Sequence, residues 1–396
     1  MARPHPASIV ILAGVCAALH VGKLPPAIPV LRDALGLTLV QAGFLLSLVQ
    51  LAGMVAGVAF GVVADGLGAR RSMLLGLGVL ALASALGGAA PGVEALMLLR
   101  ALEGFGFLLV VLPAPGFVRQ LVPPQRVNAM LGLWGAYMPL ATALALLTGP
   151  LCIAAIGWRG WWWTLAAVTL LMALLLWRAV PAAAAPASTP THWIARLLQT
   201  LAAPGPWLVA LTFAMYSGQW LAVVGFLPVI YTQAGVGEAA TGLLTALAAA
   251  ANIAGNVGSG RLLQRGVPPP TLLVVGFVTM ALAAALTFGA TAAPPVLRYA
   301  AVLLFSGVGG LIPATLFALA VQLAPGENTL STTVGWVQQW SAIGQFAGPP
   351  LVAWVASQAG GWQWTWVATG LCSLLGLALT ALIARQLSAA ASPSRR

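Results

Sequence analysis

Lys23 is the only lysine in the chain, and it lies inside the first long apolar run. An ammonium group there costs roughly 2.5–3.5 kcal/mol on insertion scales, so it needs water, a partner or a ligand. His20 lies three residues earlier and shares its face if the run is helical. Arg100 and Glu103 have the same spacing in a later apolar run. Two cations, an imidazole and one carboxylate suit two kinds of chemistry. The cations can hold an anion, since opposite charge offsets desolvation. Glu103 or His20 can carry a proton. Each residue also has a plainer reading. Arg100 and Glu103 fit an intrahelical structural pair, Lys23 fits a side chain snorkelling to the outer interface, and His20 fits a satisfied core histidine.

Neutral polar and aromatic residues stand in later apolar runs. Tyr216, Gln219, Asn252, Gln339 and Trp340 are the candidates to face a substrate, with Asn256, Trp336, Gln345, Trp134 and Tyr137 nearby in sequence. Amides at helical spacing also serve as helix–helix contacts within a membrane. Trp161 to Trp163 stand at the start of a run and fit an interfacial aromatic belt.

The elements that position these residues follow from composition. The chain is 61% apolar and 6% charged, against about 25% charged in a soluble domain. Runs long enough to cross roughly 30 Å of hydrocarbon recur throughout. They predict twelve helices, at 8–31, 40–63, 72–90, 94–118, 128–153, 161–180, 206–231, 238–260, 271–291, 298–323, 330–356 and 363–386. The first is too long for a signal-peptide core and has no small-residue cleavage site after it, so it is read as a helix.

With both termini in the cytoplasm, twelve arginines fall inside, while Arg32, Arg159 and Arg298 fall outside. That is the positive-inside pattern. It accounts for the net charge of +11 without nucleic-acid binding. Lys23 then sits roughly 12 Å from the outer end of its helix, and Arg100 and Glu103 at a similar depth. Cys16, Cys152 and Cys372 lie within spans, without metal-ligand spacing. No phosphate loop, catalytic triad or metal set is present, so no cofactor, no metal and no enzymatic activity are expected.

The sequence repeats. At a constant offset of 199, Pro29 matches Pro228, Gly43 matches Gly242, Gly61 matches Gly260, and Gly149-Pro150 matches Gly348-Pro349. Two parallel six-helix bundles are expected, at 1–180 and 206–396, joined by an Ala/Pro/Ser/Thr-rich cytoplasmic linker at 181–205. Such parallel repeats are one plan for alternating access. Within the linker, Trp193, Leu197 and Leu198 could form a short surface helix.

Four motifs carry a family resemblance. Gly61-Val-Val-Ala-Asp65-Gly-Leu-Gly68-Ala-Arg70-Arg71 resembles the signature between helices two and three of the major facilitator superfamily. Arg100-Ala-Leu-Glu-Gly104 resembles its fourth-helix motif, with Glu103 where a Gln is common. Thr148-Gly149-Pro150 resembles its fifth-helix motif, and Gly157-Trp158-Arg159 its opening to helix six. The resemblance spans the chain and implies an all-α membrane protein of twelve transmembrane helices in two pseudo-symmetric bundles, with helices one and four lining a first-half cavity. It also implies that Gly61, Asp65, Arg70 and Arg71 form a conformational latch. The second-half copy departs from the motif, with Gln264 and Pro268-Pro269-Pro270 in its place. More narrowly, Tyr216-Ser-Gly-Gln219 running to Leu227-Pro228 resembles the seventh helix of the cyanate permease branch, whose first helix carries an arginine near the place of Lys23.

These readings converge on a secondary transporter for a small anion, a carboxylate or a cyanate-like ion, with the proton as coupling ion. The expected substrate-binding set is Lys23, His20, Arg100, Tyr216, Gln219, Asn252, Gln339 and Trp340, and the expected proton-coupling pair is Glu103 and His20. The alternative is proton-coupled efflux of drugs or metabolites. The chain is expected to act as a monomer in a bacterial inner membrane, with lipid and small molecules as its partners.

Overall fold

The structure, a computed structural model, describes residues 5–55, 57, 68–123, 126, 130, 133–181 and 193–391. Among the described residues every regular element is a helix. In hydrocarbon a backbone must satisfy its own polar groups, and a helix does so within one segment.

The first span runs over Pro6–Leu35 in two pieces, α1 (Pro6–Gly22) and α2 (Leu24–Leu35). The break falls at Lys23, because Pro25 and Pro26 lack the N–H groups that would continue the ladder. The second span is described over Leu39–Val55, beginning as α3 (Leu39–Ser47) and tightening to a 3₁₀ turn at Leu48–Gln50. Thr38 and Gln41 close a capping box at its start. The third is α4 (Ala69–Gly88), and the fourth is α5 (Val93–Val111) continued by α6 (Ala114–Leu121).

The fifth and sixth spans, expected as separate helices at 128–153 and 161–180, form one run, α7 (Tyr137–Ala179). It is broken at Gly157, where the backbone takes φ 72°. That conformation belongs to glycine and lets the chain turn without a loop. Helix α8 (Trp193–Ala202) is too short to span. Then come α9 (Pro204–Gln233), α10 (Glu238–Gln264) and α11 (Pro269–Ala284), the last extended by a π turn to Gly289. The tenth span divides into α12 (Pro295–Gly309) and α13 (Leu311–Gln322). The last two are α14 (Leu330–Gln358) and α15 (Thr365–Ala391).

Nine of these stretches are long and apolar enough to cross a membrane by themselves. Counting both arms of α7, and adding Leu39–Val55 and α14, gives the twelve spans of the expected fold.

The chain falls into two compact units. One contains the described residues of Met1–Ser188 with Val223–Ala250; the other contains those of Thr189–Ala222 with Ala251–Arg396. In the first, α1 packs along α7, and α4 packs against both α5 and α7. Its core joins Ala7, Ala13, Ala17 and Val21 of α1 to Leu77, Leu80, Val110 and Phe117. In the second, α11 packs against α12, α13 and α15.

Candidate functional site

Four residues far apart in the sequence meet inside the first unit. Lys23, His20, Arg100 and Glu103 are all buried, at no more than 1% exposure. Lys23 leaves α1 at the proline break, and Arg100 and Glu103 lie one helical turn apart on α5. Helix α5 comes close because Gly104 faces the backbone of Val49, and a Cβ there would meet the Val49 carbonyl carbon at 3.0 Å.

The hydrogen bonds of this cluster can be followed proton by proton. The Lys23 ammonium donates to Glu103 Oε1, to Ser84 Oγ at 3.0 Å and to His20 Nδ1 at 3.4 Å. Ser84 in turn donates to the Trp162 carbonyl at 2.8 Å. Thr169 donates its hydroxyl proton to the Leu165 carbonyl at 2.7 Å. Its oxygen, 2.8 Å from His20 Nε2, is therefore left to accept. This arrangement suits the Nε2–H tautomer of His20, with Nδ1 left to accept from Lys23.

Arg100 acts as a staple. Its Nη1 donates to Glu103 Oε2 and, at 2.6 Å, to the His20 carbonyl. Its Nε donates to the Leu45 carbonyl at 3.3 Å, just before the 3₁₀ turn. Nη2 is buried and has no partner among the described residues. Trp161 Nε1 donates to the Lys23 carbonyl at 3.1 Å, and the Lys23 ammonium stands 4.7 Å from the ring centroid of Trp162.

The cluster thus holds two cations bridged by one carboxylate. Glu103 is the one buried acidic side chain among the described residues: Asp33, Glu94, Glu238 and Glu327 are exposed, and Asp65 lies outside them.

One expectation about neighbouring residues needs correction. Trp161 and Trp162 do not belong to an interfacial belt. They are 2% and 0% exposed and close one wall of the cluster, while Trp163, at 51%, faces outward. The turn at Gly157 brings this arm of α7 back against α1 and α4, which carries the two tryptophans inward. Ser84 and Thr169 were not singled out from sequence, and Trp162 only as part of a belt. Hydroxyls and tryptophans are common in membrane spans, and only the Gly87-Gly88 pair, which faces Trp162 and Trp163, hinted at close packing there.

Of the expected latch, Gly61 and Asp65 lie outside the described residues. Arg70 donates to the Trp177 carbonyl in the last turn of α7, a favourable place for a cation. Arg71 is exposed.

The second unit brings together Tyr216, Gln219 and Asn252, all buried. Asn252 Nδ2 donates to Tyr216 OH and to the Ser306 carbonyl, each at 2.8 Å, and Asn256 donates to Asn252 Oδ1 at 2.8 Å. Gln219 donates to the Met215 carbonyl at 2.9 Å and accepts from Ser373 at 3.1 Å. These bonds knit α9, α10, α12 and α15 together. Trp340 stands in a different group, edge-on to Trp207 and Trp336 with centroids 5.7 and 6.0 Å away. Gln339 is half-buried on the same helix.

The model of the Major Facilitator Superfamily matches residues 10–349. The chain belongs to that superfamily. Members of the superfamily are transporters, and this chain is a multi-pass membrane protein. It is 28% identical over 157 residues to the tetracenomycin C resistance and export protein of Streptomyces glaucescens, covering 39% of this chain and 29% of that one. It is 36% identical over 123 residues to a puromycin resistance protein of Streptomyces alboniger, covering 31% and 24%. It is 25% identical over 165 residues to the galactose-proton symporter of Escherichia coli strain K12, covering 42% and 35%. The facilitator thus matches about a third or less of each relative's length. Among solved structures it resembles a bacterial homolog of the human lysosomal transporter Spinster, in an inward-facing and occupied conformation. The TM-score there is 0.80 at 16% identity, over 97% of this chain and 98% of that one. That likeness concerns the fold alone.

Proposed function

We propose that this facilitator is a proton-coupled transporter of small monovalent organic or cyanate-like anions, and that Glu103 is its coupling group. The reading rests on one observation: a single carboxylate occupies both buried cations, Lys23 and Arg100. In this role Glu103 is a built-in stand-in for the cargo. With Glu103 ionised, its charge engages both cations. A proton on Glu103 withdraws that charge and leaves two cations facing an apolar interior. An entering anion restores the balance, because buried charge is tolerable only when paired. Proton and anion therefore enter together. Arg100 Nη2 supplies a further donor, and His20, whose Nδ1 faces the ammonium, tunes the position of Lys23.

The rest of the reading completes this cycle. The bundles at 1–180 and 206–396, joined by the linker at 181–205, rock about a central site. Tyr216, Gln219, Asn252, Gln339 and Trp340 give hydrogen-bonding and aromatic specificity from the second bundle. Gly61, Asp65, Arg70 and Arg71 latch one state. The chain works as a monomer in a bacterial inner membrane with its termini in the cytoplasm, and its seventh helix resembles that of the cyanate permease branch.

The test is uptake into proteoliposomes loaded with a pH-sensitive dye, under an imposed proton gradient. Cyanate, formate and benzoate are compared with cationic and uncharged drugs. Acidification that follows the anion, is lost in Lys23→Ala and is absent with cations supports the reading. Transport of cations alone overturns it.

A second reading is export of antibiotic-like metabolites. It is favoured by the resistance and export proteins among the relatives. There the same Glu103 would exchange a proton for outgoing cargo. Expression in a drug-sensitive host decides between them: raised resistance that survives Lys23→Ala favours export.

A further inference from the structure

Trp162 is among the largest fully buried side chains, and its ring lies under the Lys23 ammonium. It also reaches Lys23 a second way, since its carbonyl accepts from Ser84, which itself accepts from Lys23. The indole N–H has no partner among the described residues. No hydrogen bond from the ring therefore sets its orientation; packing against Gly87, the edge-to-face contact with Trp158 and the cation above it do. An ammonium within about 6 Å of a tryptophan centroid is held by the negative face of the ring, most strongly when water is excluded.

We propose that Trp162 is the second seat of Lys23, a positioning residue whose ring face retains the ammonium whenever Glu103 carries a proton. The proposal rests on the coupling role given to Glu103 above. The groups facing Lys23 are few. His20 comes from α1, Ser84 from α4, Arg100 and Glu103 from α5, and Trp162 with Thr169 behind His20 from α7. Arg100 repels Lys23, while His20 and Ser84 offer only neutral lone pairs. Once Glu103 is neutral, the indole face adds its attraction to the hydrogen bonds that Lys23 makes with His20 and Ser84. It keeps Lys23 aimed at the place the carboxylate charge has left, ready for the incoming anion, and prevents the long side chain from swinging away along the proline break.

The unique lysine gives a direct readout. Purified protein is treated with an amine-acylating reagent, and acylation of the Lys23 peptide is followed by mass spectrometry. The background is Glu103→Gln, which imitates the protonated carboxyl. Tryptophan at position 162 is replaced site-specifically by mono-, di-, tri- and tetrafluorotryptophan, which keep the ring shape and progressively remove its negative face. The expected result is a stepwise rise in acylation rate, reaching tenfold or more at tetrafluorotryptophan. In a parallel pair, Trp162→Phe stays slow and Trp162→Leu becomes fast. Equal rates across the fluorinated series overturn the proposal, whatever the leucine variant does. Proton flux is measured separately in Glu103→Gln. If coupling persists there, the coupling role falls while the labelling result stands.

Discussion

Lys23 and Glu103 are 80 residues apart in sequence and share a buried ion pair between the first and fourth spans. The partners are unequal, because Glu103 also holds Arg100. Lys23→Met leaves a neutral Arg100–Glu103 pair, whereas Glu103→Gln leaves two unpaired cations. Removing one partner of a buried pair typically costs about 3–5 kcal/mol. Glu103→Gln should fall in that range, and Lys23→Met well below it. The double variant should be more stable than Glu103→Gln alone, since it buries one bare cation instead of two. Thermal unfolding in detergent, ranked across the three proteins, checks the order.

Arg100→Lys keeps the charge and loses the fork. A lysine cannot reach the His20 carbonyl, the Leu45 carbonyl and Glu103 at once, because its donors radiate from one atom. A loss of about 1–3 kcal/mol is expected from the unsatisfied groups. Transport should fall with it, because α1 and α3 are no longer tied to α5. A thermal-shift assay beside uptake measurements reads both effects.

Thr169→Val tests the tautomer of His20. Valine has the shape of threonine but offers no acceptor, so the Nε2–H proton of His20 loses its partner. The cost should be about 1–3 kcal/mol for one buried unsatisfied donor. In ¹⁵N spectra of selectively labelled histidine, the native protein should show the Nε2–H pattern at His20, and the variant a mixture of tautomers.

Gly157→Ala addresses the turn inside α7. An alanine at φ 72°, ψ 169° enters a region essentially reserved for glycine, at a cost of about 1–3 kcal/mol. The expected result is a lower unfolding temperature with unchanged cargo selectivity, since Gly157 touches none of the polar clusters. A shift in selectivity would argue against a purely architectural role.

The fold was legible because hydrocarbon imposes few solutions. The long apolar runs followed from that constraint. The charged cluster was also legible, since Lys23, Arg100 and Glu103 are conspicuous among apolar neighbours and cannot stay unpaired. The lining of the cluster was not. Ser84, Thr169 and Trp162 become partners only through the packing of α1 against the second arm of α7, and nothing local in their sequence separates them from lipid-facing equivalents such as Trp163. The polar groups of the second unit were legible by type and not by partner. Asn252 bonds to Tyr216 and Ser306 across 36 and 54 residues, distances no periodicity reveals.

The interruption between α1 and α2 has a mechanical consequence. Pro25, Pro26 and Pro29 cannot donate, so the ladder across this stretch lacks rungs even at rest. Tilting α2 there breaks no backbone hydrogen bond at those rungs. The fulcrum coincides with Lys23, whose own carbonyl is held by Trp161 and whose ammonium is held by Glu103. If Glu103 has the coupling role proposed for it, its change of charge acts at the pivot itself, with no lever arm between chemistry and motion.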